Sequence, residues 1–364
     1  MRKAQTPPGT DPPQSPAPAE WGARRAAQIP ARAAAATAGL PPLPWHQPKS
    51  TEDDPLAHER VQAIMRGPGY RLADEDVDFL ARADLRGVRL QLDYTKAQFQ
   101  LEQHGVAHTI VVFGSTRIPE PAAAIRALRQ LRAQAEQERR DRLEMGQQRY
   151  REIAIAERIL AKSHYYDVAR DLGRLICDSS RAACGADPSA RMVVMTGGGP
   201  GIMEAANRGA FDADAESVGL NIALPHEQYP NPYVTPDLCL RFHYFALRKL
   251  HFVMRARALV AFPGGYGTFD ELFETLTLIQ TRKIDPVPVI LVGKSYWQRA
   301  FDVNFLVDEG VIAAEDRDLF SYAESAAAVW ESILEWYRSR DRPLLPRPAP
   351  GVSVPAASGP PGPA

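Results

Sequence analysis

The stretch Pro263-Gly264-Gly265-Tyr266-Gly267-Thr268-Phe269-Asp270-Glu271 combines the parts of an anion site with a carboxylate. Its glycines let the backbone close on an anion without Cβ interference. A glycine turn that opens a helix also gathers unpaired N–H groups around one point, which suits phosphate. Glu271 then falls about one helical turn from that anion, an arrangement fit for chemistry on a sugar phosphate. Thr268 to Glu271 equally fit a capping box, in which the Thr hydroxyl binds the N3 amide and the Glu reaches back. That role is worth about 1 kcal/mol of helix stability and implies no catalysis. If phosphate claims the amide and hydroxyl of Thr268, Glu271 is free to face the ligand.

A second glycine turn, Thr196-Gly197-Gly198-Gly199-Pro200-Gly201, lacks the GxGxxG spacing of a dinucleotide fold, and no lysine follows either turn at the P-loop position. Walker-type ATP hydrolysis is therefore disfavoured. Close packing would need the same glycines, but two such turns beside Gly114-Ser115 favour a phosphate pocket. Arg248 sits among Tyr244, Phe245, Leu247 and Leu250, so it reads as partly buried and in need of an acceptor. Arg255 and Arg257 read as surface or interface charges. The eight histidines show no metal-ligand spacing, and His104 and His108 fall in a linker.

These residues need elements to hold them. Apolar strands are expected at 109–113, 192–196, 218–224, 258–262 and 287–292, alternating with helices, one of them over 245–257. Each glycine cluster closes one of these strands. The pattern predicts an α/β fold, a Rossmann-like doubly wound parallel sheet with helices on both faces, whose ligands bind at the carboxyl ends of the strands. Residues 1–50, rich in Pro, Ala and Arg, and the tail 341–364 read as disordered. Residues 51–105 read as a helical prefix with apolar patches at Val61, Ile64 and Met65 and at Val77, Phe79, Leu80 and Leu85. The catalytic domain spans 106–340. It includes a charged helical insert at 121–162 whose apolar positions are too sparse for a long coiled-coil seam, so a solvated extended helix or helical hairpin is expected.

The 364 residues carry a formal charge of −1, which gives no global attraction to nucleic acid or to acidic membranes. Three cysteines without a CxxC fit free thiols in a reducing compartment. Met1-Arg2-Lys3 leads into no apolar segment of a secretory signal, and no apolar run approaches the ~20 residues of a membrane span. The expectation is a soluble, cytoplasmic protein.

With TGGGPGIMEAANRGA, Arg248-Lys249 and PGGYGTFDE in this order and spacing, the chain resembles the Lonely guy (LOG) family, whose members were long labelled lysine decarboxylases. The resemblance runs from about His108 to Arg340. It implies a Rossmann-like fold, a homodimer or larger homo-oligomer, and hydrolysis of a nucleoside 5′-monophosphate such as AMP or a cytokinin riboside monophosphate. The products would be free base and ribose 5-phosphate, with no cofactor or metal. By the resemblance, Gly265, Tyr266, Gly267 and Thr268 hold the 5′-phosphate and Gly264 shapes the turn. Arg248 and Glu271 match the catalytic pair, Lys249 and Thr277 match substrate contacts, and Glu227 in LPHEQYPNPY matches a substrate-binding glutamate. Ser115 and the 197–201 turn, with Gly198 and Gly199, complete the pocket. Three features depart from the family pattern: Asp270 replaces the first Glu of PGGxGTxEE, no histidine precedes Arg248, and the short plant enzymes lack the insert and the prefix.

Cleavage of a ribosyl C–N bond develops oxocarbenium charge that Glu271 would stabilise, unless it instead holds ribose hydroxyls or orients the attacking water. Arg248 stays protonated and so positions groups rather than donating a proton. A non-catalytic nucleotide or molybdopterin-type carrier would keep the glycine turns but has no need of Arg248 with Glu271. A pyridoxal phosphate decarboxylase would use Lys249 or Lys294, neither of which has a recognisable cofactor context.

Overall fold

The apolar run His108–Phe113 forms β1, the central strand of this computed structural model, and every residue after His108 is buried. The structure describes residues 49–140, 146–184, 191–225, 229–342 and 344; the expected disorder of 1–48 and of the last residues, and Glu227, lie outside them. Along the chain come α1 (Ala57–Arg66), α2 (Val77–Ala81), α3 (Arg86–Gln103), β1, α4 (Pro121–Arg140), α5 (Gln147–Lys162), α6 (His164–Cys184), β2 (Met192–Thr196), α7 (Ile202–Asp212), β3 (Ser217–Ile222) and β4 (Cys239–Phe242). There follow α8 (Phe245–Met254), β5 (Ala256–Ala261), α9 (Tyr266–Gln280), β6 (Val289–Val292), α10 (Lys294–Ala300), α11 (Val303–Asp308), β7 (Ser321–Ala323) and α12 (Ala326–Arg338).

The strands form one sheet in the order β4-β3-β2-β1-β5-β6-β7, each parallel to its neighbours. The chain winds outward from β1 to β4, then returns to the other side of β1 and winds out to β7. The winding reverses between β1 and β5, and the carboxyl ends at such a reversal leave a crevice for ligands. Alternation along each strand fills a core on both faces. Ile110, Val112, Ala258 and Val260 pack with α6, α7 and α12 through Leu172, Ile176, Ile202 and Ile333. Val111, Phe113, Leu259 and Ala261 pack on the other face with Leu101, Phe252, Leu272 and Trp297. The doubly wound expectation is thus met.

Two strands go unanticipated, β4 and β7. β4 is interrupted by Arg241 and β7 has three residues, so neither reads as an apolar run, and they exist because they pair with β3 and β6. Helix α8 stops at Met254, and Arg257, expected on it, lies within β5 with its Nε donating to His108 Nδ1 at 3.1 Å. Arg255 is half-buried too, donating to Val106 O at 3.0 Å and to Gln98 Oε1 at 2.8 Å, so neither arginine is an ordinary surface charge. The insert is a helical hairpin: α4 and α5 pack together, bury Leu128 and Ala156, and pair Arg132 with Glu157 and Arg149 with Glu138.

The chain divides into two compact units, 1–80 and 81–364. In the first, Ile64, Met65, Val77 and Phe79 are exposed. In the second, α3 buries Ala97 and Leu101 in the core of the sheet. Among the described residues, no helix is long and apolar enough to cross a membrane.

Candidate active site

Where β5 ends, the chain turns sharply at Gly264. A Cβ there would lie 2.1 Å from Thr268 Oγ1 and 2.6 Å from Thr268 Cβ, so only glycine fits under the first turn of α9. Tyr296 donates its hydroxyl to Gly264 O and pins the turn from outside. Gly265 is the N-cap of α9, and no side chain caps the helix. The N–H groups of Thr268 and Phe269 fold back onto Gly265 O at 2.9 and 3.1 Å. Those of Tyr266 and Gly267 have no intrahelical acceptor, and a helix end of this kind attracts an anion. The capping-box reading falls here: Thr268 is the third residue of α9 and Glu271 the sixth, so neither lies at the cap.

The loop after β1 approaches this turn from the other side of the winding reversal. Ser115 N donates to Pro263 O at 3.0 Å, and Ser115 O accepts from Ile202 N at 3.1 Å. Gly201, at φ 73°, lets the second glycine turn come this close, because a Cβ would sit 2.4 Å from Ser115 O. A buried polar network holds that turn. Thr196 Oγ1 accepts from Gly198 N at 2.9 Å and donates to Asn207 Oδ1 at 2.7 Å, while Asn231 Nδ2 donates to Gly199 O at 3.0 Å.

Between these turns lies a cleft of about 360 Å³, lined by Ser115, Arg117, Gly197, Arg248, Gly265, Gly267, Thr268 and Glu271 among others. Helix α8 brings Arg248 in. The chain just ahead of α8 is tied across the fold to Asp93 of α3, whose Oδ2 accepts from His243 N at 2.8 Å and Tyr244 N at 3.0 Å. Arg248 Nε donates to Leu220 O at 2.7 Å, and its guanidinium lies over the Phe252 ring. Glu271 is 6 % exposed, and its Oε1 lies 3.6 Å from Arg248 Nη1, a charge contact longer than a hydrogen bond. Burial drives the Glu271 carboxyl up to about 7, with Arg248 and Lys249 pulling it back and Glu274 and Asp270 pushing it further. Burial also lowers Arg248 from its ordinary value, against the pull of Glu271 and Asp270. A carboxyl poised near neutrality in a cleft wall is what acid–base or electrostatic catalysis requires.

The structure thus brings Ser115, Arg248, Gly265, Gly267, Thr268 and Glu271 to one cleft. Other expected site residues stand apart from its lining. Gly264 packs beneath Thr268, Tyr266 is 97 % exposed, and Gly198 and Gly199 are buried behind Gly197. Lys249 pairs with Asp270 at 2.8 Å and Glu274 at 3.3 Å. Burial alone would lower the Lys249 ammonium, but these partners outweigh it and raise it. Thr277 is exposed further along α9. Conversely, Arg117 lines the cleft without having been singled out, and Gly197, expected only as part of the 197–201 turn, is the residue of that turn in the lining. Gly197 is the glycine that matters there, because a Cβ would sit 2.6 Å from Arg248 Nη2. Arg117 carried one signal, a basic residue two positions beyond Ser115.

A larger cavity of about 760 Å³ lies between α8, β5 and α9, with Leu250, Phe252, Val253, Leu278 and Ile284 in its walls. It carries neither glycine turn, and Glu271 stands on the wall common to both spaces. Of the two spaces, only the smaller cleft joins both glycine turns to Glu271 and Arg248. Among the described residues, no three His, Cys, Asp or Glu side chains group to hold a metal ion.

Residues 203–333 match a family model described as "Possible lysine decarboxylase". The chain is similar to cytokinin riboside 5′-monophosphate phosphoribohydrolase LOG3 of Arabidopsis thaliana, 26 % identical over 50 % of this chain and 80 % of that protein. It is also similar to the phosphoribohydrolase LOG of Oryza sativa subsp. japonica, 28 % identical over 45 % of this chain and 64 % of that protein. Among solved structures it resembles the molybdenum cofactor carrier protein from Chlamydomonas reinhardtii, at 20 % identity and a TM-score of 0.31 over 48 % of this chain and 89 % of that chain.

Proposed function

We propose that this chain, related by sequence to the LOG phosphoribohydrolases, hydrolyses the N-glycosidic bond of a purine nucleoside 5′-monophosphate, releasing free base and ribose 5-phosphate. One observation carries the reading: the Glu271 carboxylate, nearly buried and poised near pH 7, accepts no hydrogen bond from a described residue and faces a cleft whose other end is an uncapped helix N-terminus. The phosphate docks on the first turn of α9, with the N–H groups of Tyr266 and Gly267 and the Thr268 hydroxyl as donors. That contact is remote from the bond broken, so its binding energy serves to orient the ribose. C1′ is then presented to Glu271. As the C–N bond lengthens, positive charge grows on the sugar, and the ionised Glu271 stabilises it and orients the attacking water. Arg248 keeps Glu271 from drifting higher, and its guanidinium remains protonated throughout.

The test is to incubate the purified protein with a panel of nucleoside 5′-monophosphates and separate the products by chromatography. Free base and ribose 5-phosphate should appear together. Glu271→Gln should cut turnover by about 10²- to 10⁴-fold, with the circular dichroism unchanged. Full activity in that variant, or no base released from any monophosphate, would defeat the proposal.

A further inference from the structure

We infer that Arg117 is the side-chain ligand of the substrate's 5′-phosphate, and hence the residue that makes this cleft select a phosphomonoester over the bare nucleoside. The inference rests on the nucleotide reading above and names the group that recognises the ligand's charge. Four charged side chains line the cleft: Arg117, Arg248, Asp270 and Glu271. Three of them are already engaged. Asp270 is bound by Lys249 at 2.8 Å, while Arg248 is held by Leu220 O at 2.7 Å and turned toward Glu271 at 3.6 Å. No described residue hydrogen-bonds or ion-pairs with the Arg117 guanidinium; only its backbone N–H is used, donating to Ser115 Oγ at 3.0 Å.

A phosphomonoester dianion entering this space meets two carboxylates. Arg248 and Lys249 are committed to those carboxylates, the α9 N-terminus adds only about half a positive charge, and no lysine or arginine lies in the glycine turn itself. A full cation is needed, and Arg117 supplies it. A guanidinium also matches phosphate oxygens in a bidentate fork that a backbone turn alone cannot provide. The position of Arg117 is fixed at its root. Its loop is clamped on one side by Ser115 N on Pro263 O at 3.0 Å, beside the phosphate turn, and on the other by Ile202 N on Ser115 O at 3.1 Å. The guanidinium therefore springs from a rigid edge of the cleft, across the winding reversal from Gly265 and Gly267.

The experiment measures binding of ribose 5-phosphate and of ribose by calorimetry to wild type, Arg117→Ala and Arg117→Lys, alongside kcat/KM for AMP and adenosine. Wild type should prefer ribose 5-phosphate. Arg117→Ala should weaken it roughly 10- to 100-fold while leaving ribose unchanged. The AMP-to-adenosine ratio of kcat/KM should fall by the same factor, and Arg117→Lys should recover part of it. Unchanged ribose 5-phosphate affinity in Arg117→Ala, or equal losses for ribose and its phosphate, would overturn the inference while leaving the nucleotide reading intact. A wild type that binds both sugars alike would overturn the nucleotide reading, and this inference with it.

Discussion

Arg248→Gln should move the acidic limb of the pH–rate profile upward and leave the reaction otherwise possible. The Arg248 guanidinium stands 3.6 Å from the Glu271 carboxylate. At an effective dielectric near 20, unit charges that far apart attract by about 5 kcal/mol, or roughly three pH units, as an upper bound. Opposite charges at such range shift a carboxyl by roughly one to three units. In the native protein Glu271 titrates at about 7, so about half of it is ionised at pH 7. Without the guanidinium, the ionised fraction at pH 7 drops to between about one in ten and one in a thousand, a loss of roughly 5- to 500-fold. Because the group itself survives, raising the pH should restore the rate. The assay is base release from AMP between pH 5 and 10, with kcat/KM fitted for the limb that reports the free enzyme. A limb that stays near 7, or a deficit equal at every pH, would show that Arg248 does not act by holding Glu271 ionised.

Two further substitutions probe the scaffold. Gly264→Ala forces a Cβ to within 2.1 Å of Thr268 Oγ1 and should lower stability by about 1–3 kcal/mol, whereas Gly265→Ala meets nothing within 4 Å and should leave the Tm unchanged; equal Tm values would refute the packing argument. His251, fully buried, is pushed down by burial, and by Arg255, to about 4, against a smaller upward pull from the Tyr94 backbone. The unfolded chain binds that proton near 6.5, so stability is fully present above 6.5 and falls by up to about 3 kcal/mol as the pH drops through 6.5 towards 4. His251→Phe, between the Tyr94 and Phe242 rings, should flatten that decline in urea titrations at pH 4.5 and 7, and an unchanged slope would exclude His251 as its source.

Much of the sheet was legible because a strand buried on both faces carries a continuous apolar run, and β1, β2, β3, β5 and β6 each contain or border one. The strand β4 was not, since Cys239-Leu240-Arg241-Phe242 is short and carries an arginine; only its partner β3 makes it a strand. Nor was the role of α3. Asp93 anchors the backbone ahead of α8 some 150 positions away, and nothing local in the sequence reveals an acceptor supplied by another element. Residue type and turn position pointed to Glu271, Thr268 and Ser115, which the fold brings to one cleft. They failed to separate Gly197 from Gly198 and Gly199, because which glycine of a run faces the cleft depends on the rotation of the turn. That rotation is set by Thr196, Asn207 and Asn231, the last of them 32 residues from the Gly199 carbonyl it binds.

The same turn explains why Arg248 and Glu271 sit apart rather than clasped. An arginine free to swing would close on a buried carboxylate in a bidentate pair, and such a pair holds the carboxyl far below neutrality, ionised and fully occupied. Here the guanidinium is committed elsewhere: Nε is bound to Leu220 O at 2.7 Å, and Nη2 reaches into the space where a Cβ on Gly197 would be. What remains is one charge contact at 3.6 Å. It offsets part of the burial penalty on Glu271 and no more, so the carboxyl settles near 7 instead of at either extreme. The glycine of β2's turn thereby contributes to the acidity of a residue on α9 without touching it.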